Sequence, residues 1–181
     1  MLTAGHSNRS LEGLIELLGV AGVRYLVDIR SYPGSRRLPW FNREALARGA
    51  GEDGIEYLWE GRALGGRRPR KAEDPERHPA LPDDGLRAFA RHMEGERFRE
   101  ATDRVLALPP EATVLLCAEA DAARCHRSLV ADFLEAVRER PVSHIMGDGR
   151  LQRHTIHPGA RVVGGLLRYD RSGGQASLGL V

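Results

Sequence analysis

Short apolar runs recur along the chain and are separated by segments of different periodicity. Five of these runs are rich in β-forming residues and three to seven residues long, at 2–4, 23–29, 55–59, 114–117 and 142–146. They do not alternate between apolar and polar positions, which is typical of strands that are buried on both faces of a sheet. The pattern therefore predicts five strands of a mostly parallel sheet.

Between these runs, apolar residues recur three and four positions apart, as on one face of an α-helix. Ser10 is a candidate N-cap for the first such segment, and glycines or prolines follow most of them. The predicted helices cover residues 11–18, 43–48, 86–93, 98–108 and 129–137.

Strands that alternate with helices predict an α/β fold, with a mostly parallel sheet of about five strands and helices on both faces. We expect the α/β domain to cover residues 1–148. A glycine-rich C-terminal extension, residues 149–181, would pack on this domain or trail from it, with β-like runs at 161–163 and 166–167. The proline-containing stretch 71–84 is expected to be a surface loop or lid.

Composition narrows the class of protein. A chain of 181 residues is long enough for one well-buried core. Two cysteines without a disulfide-type spacing favour the reducing cytoplasm, and no apolar run approaches the roughly 20 residues of a membrane span. The net charge of +2 does not by itself argue for nucleic acid as a partner.

Candidate site residues follow the first four predicted strands. His6 follows the first, Arg30 the second, the pair Gly65 and Gly66 the third, and Glu119 the fourth. Because ligands of such sheets bind beyond the carboxyl ends of the strands, we expect these residues to share one crevice. Asp28, at the end of the second strand, would be buried and paired with an arginine or with backbone N–H groups.

Candidate reactive groups cluster around the fourth strand and the helix after it. Cys125 lies at the predicted helix start between Arg124 and Arg127, where the helix dipole and the guanidinium charges favour a thiolate nucleophile. The alternative is a small buried cysteine at the junction, and Cys117 is expected to be core. His126 is a further candidate for acid/base or nucleophilic chemistry.

Two other side chains are candidates for proton transfer. His6 would act as a general base or, equally, as a structural histidine that ties neighbouring loops together. Glu119 would act as an acid/base group or form an ion pair with Arg30 or Arg127.

Arginines and glycines in the same loops predict anion binding. Guanidinium groups bind phosphate bidentately, and glycines allow close backbone approach. Three aromatic residues, Tyr32, Trp40 and Trp59, are interleaved with them and suit stacked bases, although a solvated loop with incidental aromatics is the alternative. The candidate anion-binding residues are Arg30, Arg36, Arg37, Gly65, Gly66, Arg67 and Arg127.

Zinc is an alternative that the ligand types allow. Cys117, Cys125, His126 and His6 could all donate to zinc. Cys125 and His126 are adjacent, however, and are expected to project in different directions from a helix start, and no Cys-x-x-Cys pair is present. We therefore assign no metal ligands from the sequence and leave the cofactor unknown.

Taken together, seven short motifs resemble domain-of-unknown-function family 488 over roughly residues 2–146. The resemblance implies that these loops act together, and it implies little about substrate or reaction. The motifs are Gly5-His6-Ser7, Val27-Asp28-Ile29-Arg30 with Pro33 and Ser35-Arg36, Phe41-Asn42, Leu64-Gly65-Gly66, Leu116-Cys117-Ala118-Glu119, Cys125-His126-Arg127 and His144-Ile145.

Three functions are consistent with these residues. The first is a cytosolic α/β enzyme that acts on a phosphate-bearing substrate, a nucleotide or nucleic acid, through an Arg/His/Glu/Cys site. The second is a non-catalytic module that binds nucleotides or nucleic acid. The third is a small zinc-dependent hydrolase. The oligomeric state is left open.

Overall fold

A six-stranded β-sheet forms the centre of the protein, in a computed structural model that describes residues 1–69 and 77–171. The strand order is β3-β2-β4-β1-β5-β6. Strands β1 to β5 are parallel, and β6 is antiparallel to β5. This confirms the predicted α/β class and the five parallel strands. The strands are β1 (Leu2–Gly5), β2 (Tyr25–Asp28), β3 (Glu56–Trp59), β4 (Thr113–Cys117), β5 (Ser143–Ile145) and β6 (Leu151–Arg153).

Helices cover both faces of the sheet. On one face α1 and α2 bury their apolar sides, and on the other α3 to α6 do the same. Alternate residues of β4 supply the two cores, since Val114 and Leu116 face the first and Leu115 and Cys117 the second. The helices are α1 (Leu11–Val20), α2 (Arg43–Glu52), α3 (Gly61–Leu64), α4 (Asp84–Met93), α5 (Glu96–Leu106) and α6 (His126–Ala136).

Two elements, α3 and β6, were not predicted, and α2 extends past its predicted end. Neither α3 nor β6 carries enough periodic residues to be read from the sequence. Helix α2 was expected to stop before Gly49, yet it continues to Glu52. Gly49 is buried against Leu11 of α1, where a Cβ would lie 2.5 Å from a Leu11 methyl carbon. The glycine therefore lets the two helices approach closely.

The C-terminal segment contributes to the main sheet and to a hairpin. Strand β6 pairs with β5, so the predicted boundary at residue 148 falls between two paired strands. The predicted β-like runs form a two-stranded antiparallel hairpin of β7 (Ala160–Val163) and β8 (Leu166–Tyr169). Residues 71–76 of the predicted surface loop lie outside the described residues, whereas His78 and Leu81 are buried.

A buried series of hydrogen bonds joins this segment to the sheet. Asp132 accepts from His154 Nε2–H at 2.7 Å and from the Tyr169 hydroxyl at 2.9 Å. His154 Nδ1 therefore accepts from His144 Nε2–H at 3.0 Å, and His144 Nδ1 accepts from the Thr3 hydroxyl at 2.7 Å. Each ring nitrogen of the two histidines thus has a partner, which holds the segment against α6 and β1.

The helices are short compared with a membrane span. A helix needs about 20 apolar residues to cross the hydrocarbon core of a bilayer. The longest helices in the described ranges, α5 and α6, have 11 residues each, and none there is long and apolar enough to do so.

Candidate functional site

A pocket of about 380 Å³ opens at the carboxyl edge of the sheet, where loops from β2, β3 and β4 meet the start of α6. We call it the edge pocket. It brings together residues that are up to 96 positions apart in the chain, since both Arg30 and His126 line it. The charged, thiol and imidazole side chains that line it are those of Arg30, Arg67, Asp83, Cys117, Glu119, Arg124, Cys125 and His126. Gly66 also lies in the lining.

One wall of the edge pocket rests on a buried ion pair. Asp28 is fully buried and accepts from Arg30 Nε at 2.9 Å, from Arg30 Nη2 at 2.6 Å and from the Arg30 backbone N–H at 3.0 Å. The Tyr57 hydroxyl donates to the same carboxylate at 2.8 Å. Asp28 is thus paired as predicted, and the bidentate contact fixes the Arg30 guanidinium in one orientation.

His6 lies behind Arg30. Its Nδ1–H donates to the Ser7 carbonyl at 2.9 Å, which leaves Nε2 to accept from Arg30 Nη1 at 3.1 Å. Burial and the Arg30 charge lower the pKa of His6 to about 4. The imidazole also stacks on Phe41, with ring centroids 4.1 Å apart. His6 is therefore neutral near pH 7 and contacts Arg30, not the open pocket.

Two thiols and an imidazole lie together at the floor of the edge pocket. Cys117 is the last residue of β4 and Cys125 is the N-cap of α6, and both are buried free thiols. Their Sγ atoms are 3.1 Å apart. Nδ1 of His126 lies 3.8 Å from Cys117 Sγ and 3.6 Å from Cys125 Sγ. The three donor atoms therefore face one small space.

The two thiols ionise unequally. The Cys125 S–H donates to Cys117, which lowers the pKa of the Cys117 thiol. The same hydrogen bond, with burial and the charge on Cys117, raises the pKa of Cys125. The first proton thus leaves Cys117 and not Cys125, where the sequence favoured a thiolate. Cys117 nevertheless lies in the core, as expected.

His126 is held in one orientation. Its Nε2–H donates to the Ile29 carbonyl at 3.3 Å, so the Nδ1 lone pair points toward the two sulfurs. The Phe89 ring packs edge-on against the imidazole at 5.0 Å, and Gly66 lies against it on another side. The expectation that Cys125 and His126 project in different directions is wrong. Cys125 is extended, with φ −132° and ψ 145°, which turns its side chain back toward the first helical residue.

Four exposed arginines of these loops fall into two groups. Arg67 and Arg124 are exposed and line the edge pocket, and neither forms a salt bridge with a described residue. Arg36 and Arg37 are also exposed but lie outside its lining. From the sequence, Arg124 is expected to lower a thiol pKa and is not among the predicted anion ligands.

Arg127 is placed differently from the other arginines. Its side chain is 2% exposed and does not line the edge pocket. Nη2 donates to the Ala120 carbonyl at 3.2 Å, while Nε and Nη1 have no hydrogen-bond partner among the described residues. Its backbone N–H donates to Cys125 Sγ at 3.4 Å. The residue supports the loop after β4 from inside the protein.

Glu119 is exposed at the rim of the edge pocket. The predicted ion pair with Arg30 or Arg127 does not form in the part of the chain that the structure describes. Arg30 is already paired with Asp28, and Arg127 is buried away from the rim. The Glu119 carboxylate is therefore exposed to solvent beside the pocket.

A second cleft, of about 560 Å³, adjoins the edge pocket through Tyr32 and Arg67. We call it the aromatic cleft. Trp59 forms part of it, with the Arg43 guanidinium 4.5 Å from the ring centroid. Arg43 follows the 3-10 turn before α2 and was not predicted as a site residue. Trp40, in contrast, donates to the Arg9 carbonyl and does not line the cleft.

Another cavity, of about 370 Å³, lies beside α6 and the C-terminal segment. Its polar lining includes Asp132, His144 and His154, which already satisfy one another's hydrogen bonds. The remaining lining is mostly apolar. The edge pocket, with its thiols and open arginines, is therefore the better candidate for chemistry.

Comparison with known proteins agrees with the resemblance seen in the sequence. The model of the family described as Domain of unknown function DUF488 matches residues 10–134, which is more than half of the chain. No curated protein and no solved structure matches the chain significantly. The matched region holds the Asp28–Arg30 pair, both cysteines and His126. The chain therefore belongs to the DUF488 family.

Proposed function

We propose that this protein is an enzyme that acts on a phosphate-bearing substrate, a nucleotide or nucleic acid, in the edge pocket. The main observation behind the proposal is that one pocket contains two arginines together with the Cys117, Cys125 and His126 cluster. The arginines, Arg67 and Arg124, form no salt bridge with a described residue. A cytosolic location belongs to the proposal and is supported by the two free thiols.

Charge supports an anionic substrate. Arg30 is neutralised by Asp28, and the other arginines around the two cavities outnumber the carboxylates. Guanidinium groups on exposed loops bind phosphate oxygens in pairs, and each such bond contributes about 1.5 to 3 kcal/mol. The arginines are Arg43, Arg62, Arg67, Arg68 and Arg124, and the carboxylates are Glu44, Asp83 and Glu119.

The aromatic cleft supports a substrate that carries a base as well as a phosphate. Tyr32 is 73% exposed and lies between the two cavities. The Arg67 guanidinium is 6.0 Å from its ring centroid. An exposed ring beside an arginine can stack a nucleobase while the guanidinium binds the attached phosphate.

Four side chains supply candidate reacting groups. The Cys117, Cys125 and His126 cluster lies at the pocket floor, and Glu119 lies at the rim within the same lining. His6 acts as a positioning residue, because its Nε2 holds the guanidinium of Arg30. The proposal therefore keeps the predicted acid/base and thiol residues and assigns His6 to the orientation of Arg30.

Binding of phosphate compounds tests the substrate class. Inorganic phosphate, a panel of nucleoside phosphates and short single-stranded oligonucleotides are titrated by calorimetry against the native protein and two variants, Arg67→Ala and Arg124→Ala. We expect each variant to bind at least about tenfold more weakly, because one charge-assisted hydrogen bond is lost. Arg48→Ala, which removes an exposed arginine of α2 away from both cavities, should bind like the native protein.

Turnover separates an enzyme from a binding module. Release of phosphate or of a cleaved product from any compound that binds is measured for native protein and for Cys117→Ser. We expect product from the native protein alone. Binding without turnover would favour the non-catalytic nucleotide or nucleic-acid module. Equal binding by native, Arg67→Ala and Arg124→Ala proteins would overturn the anion site.

A further inference from the structure

We propose that Cys117, Cys125 and His126 bind one zinc ion at the floor of the edge pocket, with a fourth coordination position open to the substrate. The inference rests on the proposed function in that it places the chemistry at this pocket. Metal binding itself is a property of three side chains and is measurable without any substrate.

The donor atoms have spacings close to those around zinc. With Zn–S near 2.3 Å and Zn–N near 2.05 Å, tetrahedral angles place sulfur and nitrogen about 3.6 Å apart and the two sulfurs about 3.8 Å apart. The sulfur to Nδ1 distances are 3.6 and 3.8 Å. The sulfurs are 3.1 Å apart, so binding would separate them by about 0.7 Å.

The orientation of His126 is an independent observation that points to a metal. A histidine ligand usually donates its second ring N–H to a carboxylate or backbone carbonyl, which fixes the tautomer and aims the other nitrogen. His126 does this through Nε2–H and the Ile29 carbonyl. Its Nδ1 is left with a lone pair directed at two sulfurs, which are weak hydrogen-bond donors but good zinc ligands once deprotonated.

Backbone groups around the sulfurs suit thiolate ligands. Cys125 Sγ accepts from the Arg127 N–H at 3.4 Å, and Cys117 interacts with the backbone N–H of Glu119. Such N–H groups stabilise negative sulfur without competing for the metal. Zinc would bind both sulfurs as thiolates, so any thiol proton still present would be released to solvent, and the two thiolates would balance its charge.

Three protein ligands with one open position are typical of catalytic zinc sites, whereas structural sites are closed by four. All three ligands line the edge pocket, and so do Arg67 and Arg124, so an anion held by these arginines would lie in the same pocket as the metal. A metal there could polarise a phosphate oxygen or bind a water molecule beside an anionic substrate. The site would thus define the protein as a metal-dependent enzyme for phosphate compounds.

Metal content tests the inference directly. Protein purified without chelator is analysed for metals by mass spectrometry, and apoprotein is titrated with zinc against a chromophoric chelator. We expect one zinc per chain, and about a 100-fold loss of zinc affinity in Cys117→Ser, Cys125→Ser and His126→Gln. Cys125→Ser keeps an N-cap side chain for α6, so circular dichroism should show an intact fold.

Cobalt and a matched variant make the result specific. Cobalt(II) bound to the native apoprotein should show thiolate-to-metal charge transfer and intense tetrahedral bands, and both should be much weaker in Cys125→Ser at the same cobalt concentration, because one thiolate is lost and cobalt binds less tightly. Arg124→Ala should bind zinc like the native protein even though it binds phosphate weakly, so the metal site and the substrate site can fail separately.

Zinc affinity unchanged by the cysteine variants would overturn the inference. A disulfide between Cys117 and Cys125 in protein purified without reductant would also overturn the inference. It would be detected by the absence of titratable thiols after unfolding.

Discussion

Gly66 decides how closely the loop after β3 approaches the Cys/His cluster. A Cβ at this position would lie 2.5 Å from His126 Nδ1 and 2.6 Å from its Cγ. These atoms belong to a ring held by the Ile29 carbonyl and Phe89, so the ring cannot easily give way. The glycine was predicted to allow an anion to approach the backbone, whereas in the structure it makes room for an imidazole.

Replacing Gly66 by alanine should therefore displace His126. We expect Gly66→Ala to unfold more easily by about 1 to 3 kcal/mol, as for other overpacked sites, and to bind zinc at least about tenfold more weakly. Urea unfolding of the apoprotein and zinc titration measure the two effects.

Gly51→Ala is the matched control for this substitution. Gly51 lies in α2, and an added Cβ there would meet no neighbouring atom within 4 Å. Alanine at this position should stabilise the helix by up to about 1 kcal/mol and leave zinc affinity unchanged. A Gly66→Ala protein with native zinc affinity would show that His126 is free to move.

The start of α4 contributes both a cap and a charge to the edge pocket. Asp83 is the N-cap, and its Oδ1 accepts from the Leu86 N–H at 3.0 Å. The same carboxylate lines the pocket, opposite in charge to Arg67 and Arg124. The Asp83 carboxylate thus stabilises the start of α4 but lowers the attraction of the pocket for anions.

Two substitutions at Asp83 separate these effects. Asp83→Ser keeps a capping oxygen and removes the charge, so stability should change by only a few tenths of a kcal/mol, while phosphate binds about two- to threefold more tightly. Asp83→Ala removes both, and should also cost about 1 kcal/mol of stability. Thermal unfolding measures the stability of each variant, and titration with phosphate measures its affinity. Native phosphate affinity in both variants would mean that this carboxylate does not act on the bound anion.

Buried histidines tie the C-terminal segment to the rest of the molecule. His78 Nδ1 accepts from the Tyr169 N–H of β8, and His144 bonds His154. Burial lowers the pKa of both His78 and His144 to about 4. His144 is also faced by the charges of Arg127, Asp132 and Asp121, of which the first lowers its pKa and the other two raise it. The packing of the segment therefore requires neutral imidazoles.

Acid should consequently destabilise the whole fold. Unfolded histidine has a pKa near 6.5, so between about pH 6.5 and 4 the unfolded chain binds more protons than the folded one. The stability contributed by neutral His78 and His144 is full above pH 6.5 and is lost as the pH falls through this window.

Urea unfolding at pH 7 and at pH 4.5 tests this linkage. Each histidine should account for on the order of 2 kcal/mol of the difference. His144→Gln should reduce the pH dependence by about that amount, even if it lowers stability at pH 7. The same pH dependence in native and His144→Gln proteins would contradict the assignment to His144.

The number and direction of the main strands, and the grouping of several residues around the edge pocket, could be predicted from the chain. Apolar periodicity reflects burial within a few residues, so it located five parallel strands and most helices. The rule that parallel strands end at one edge then placed Arg30, Gly66, Glu119 and Cys125 near one another, as the lining of the edge pocket has them. The strand prediction depends only on the apolar pattern within a few residues, and the grouping of residues depends only on the direction of the strands.

Most contacts between side chains of different elements could not be predicted from the apolar periodicity. The pairing of Arg30 with His6, the meeting of Cys117, Cys125 and His126, and the hydrogen bonds from Thr3 to Asp132 all join residues from different elements. Their geometry depends on how helices and loops pack and on which rotamers that packing allows. Local sequence thus specifies which residues reach the edge of the sheet, and long-range packing selects which atoms meet there.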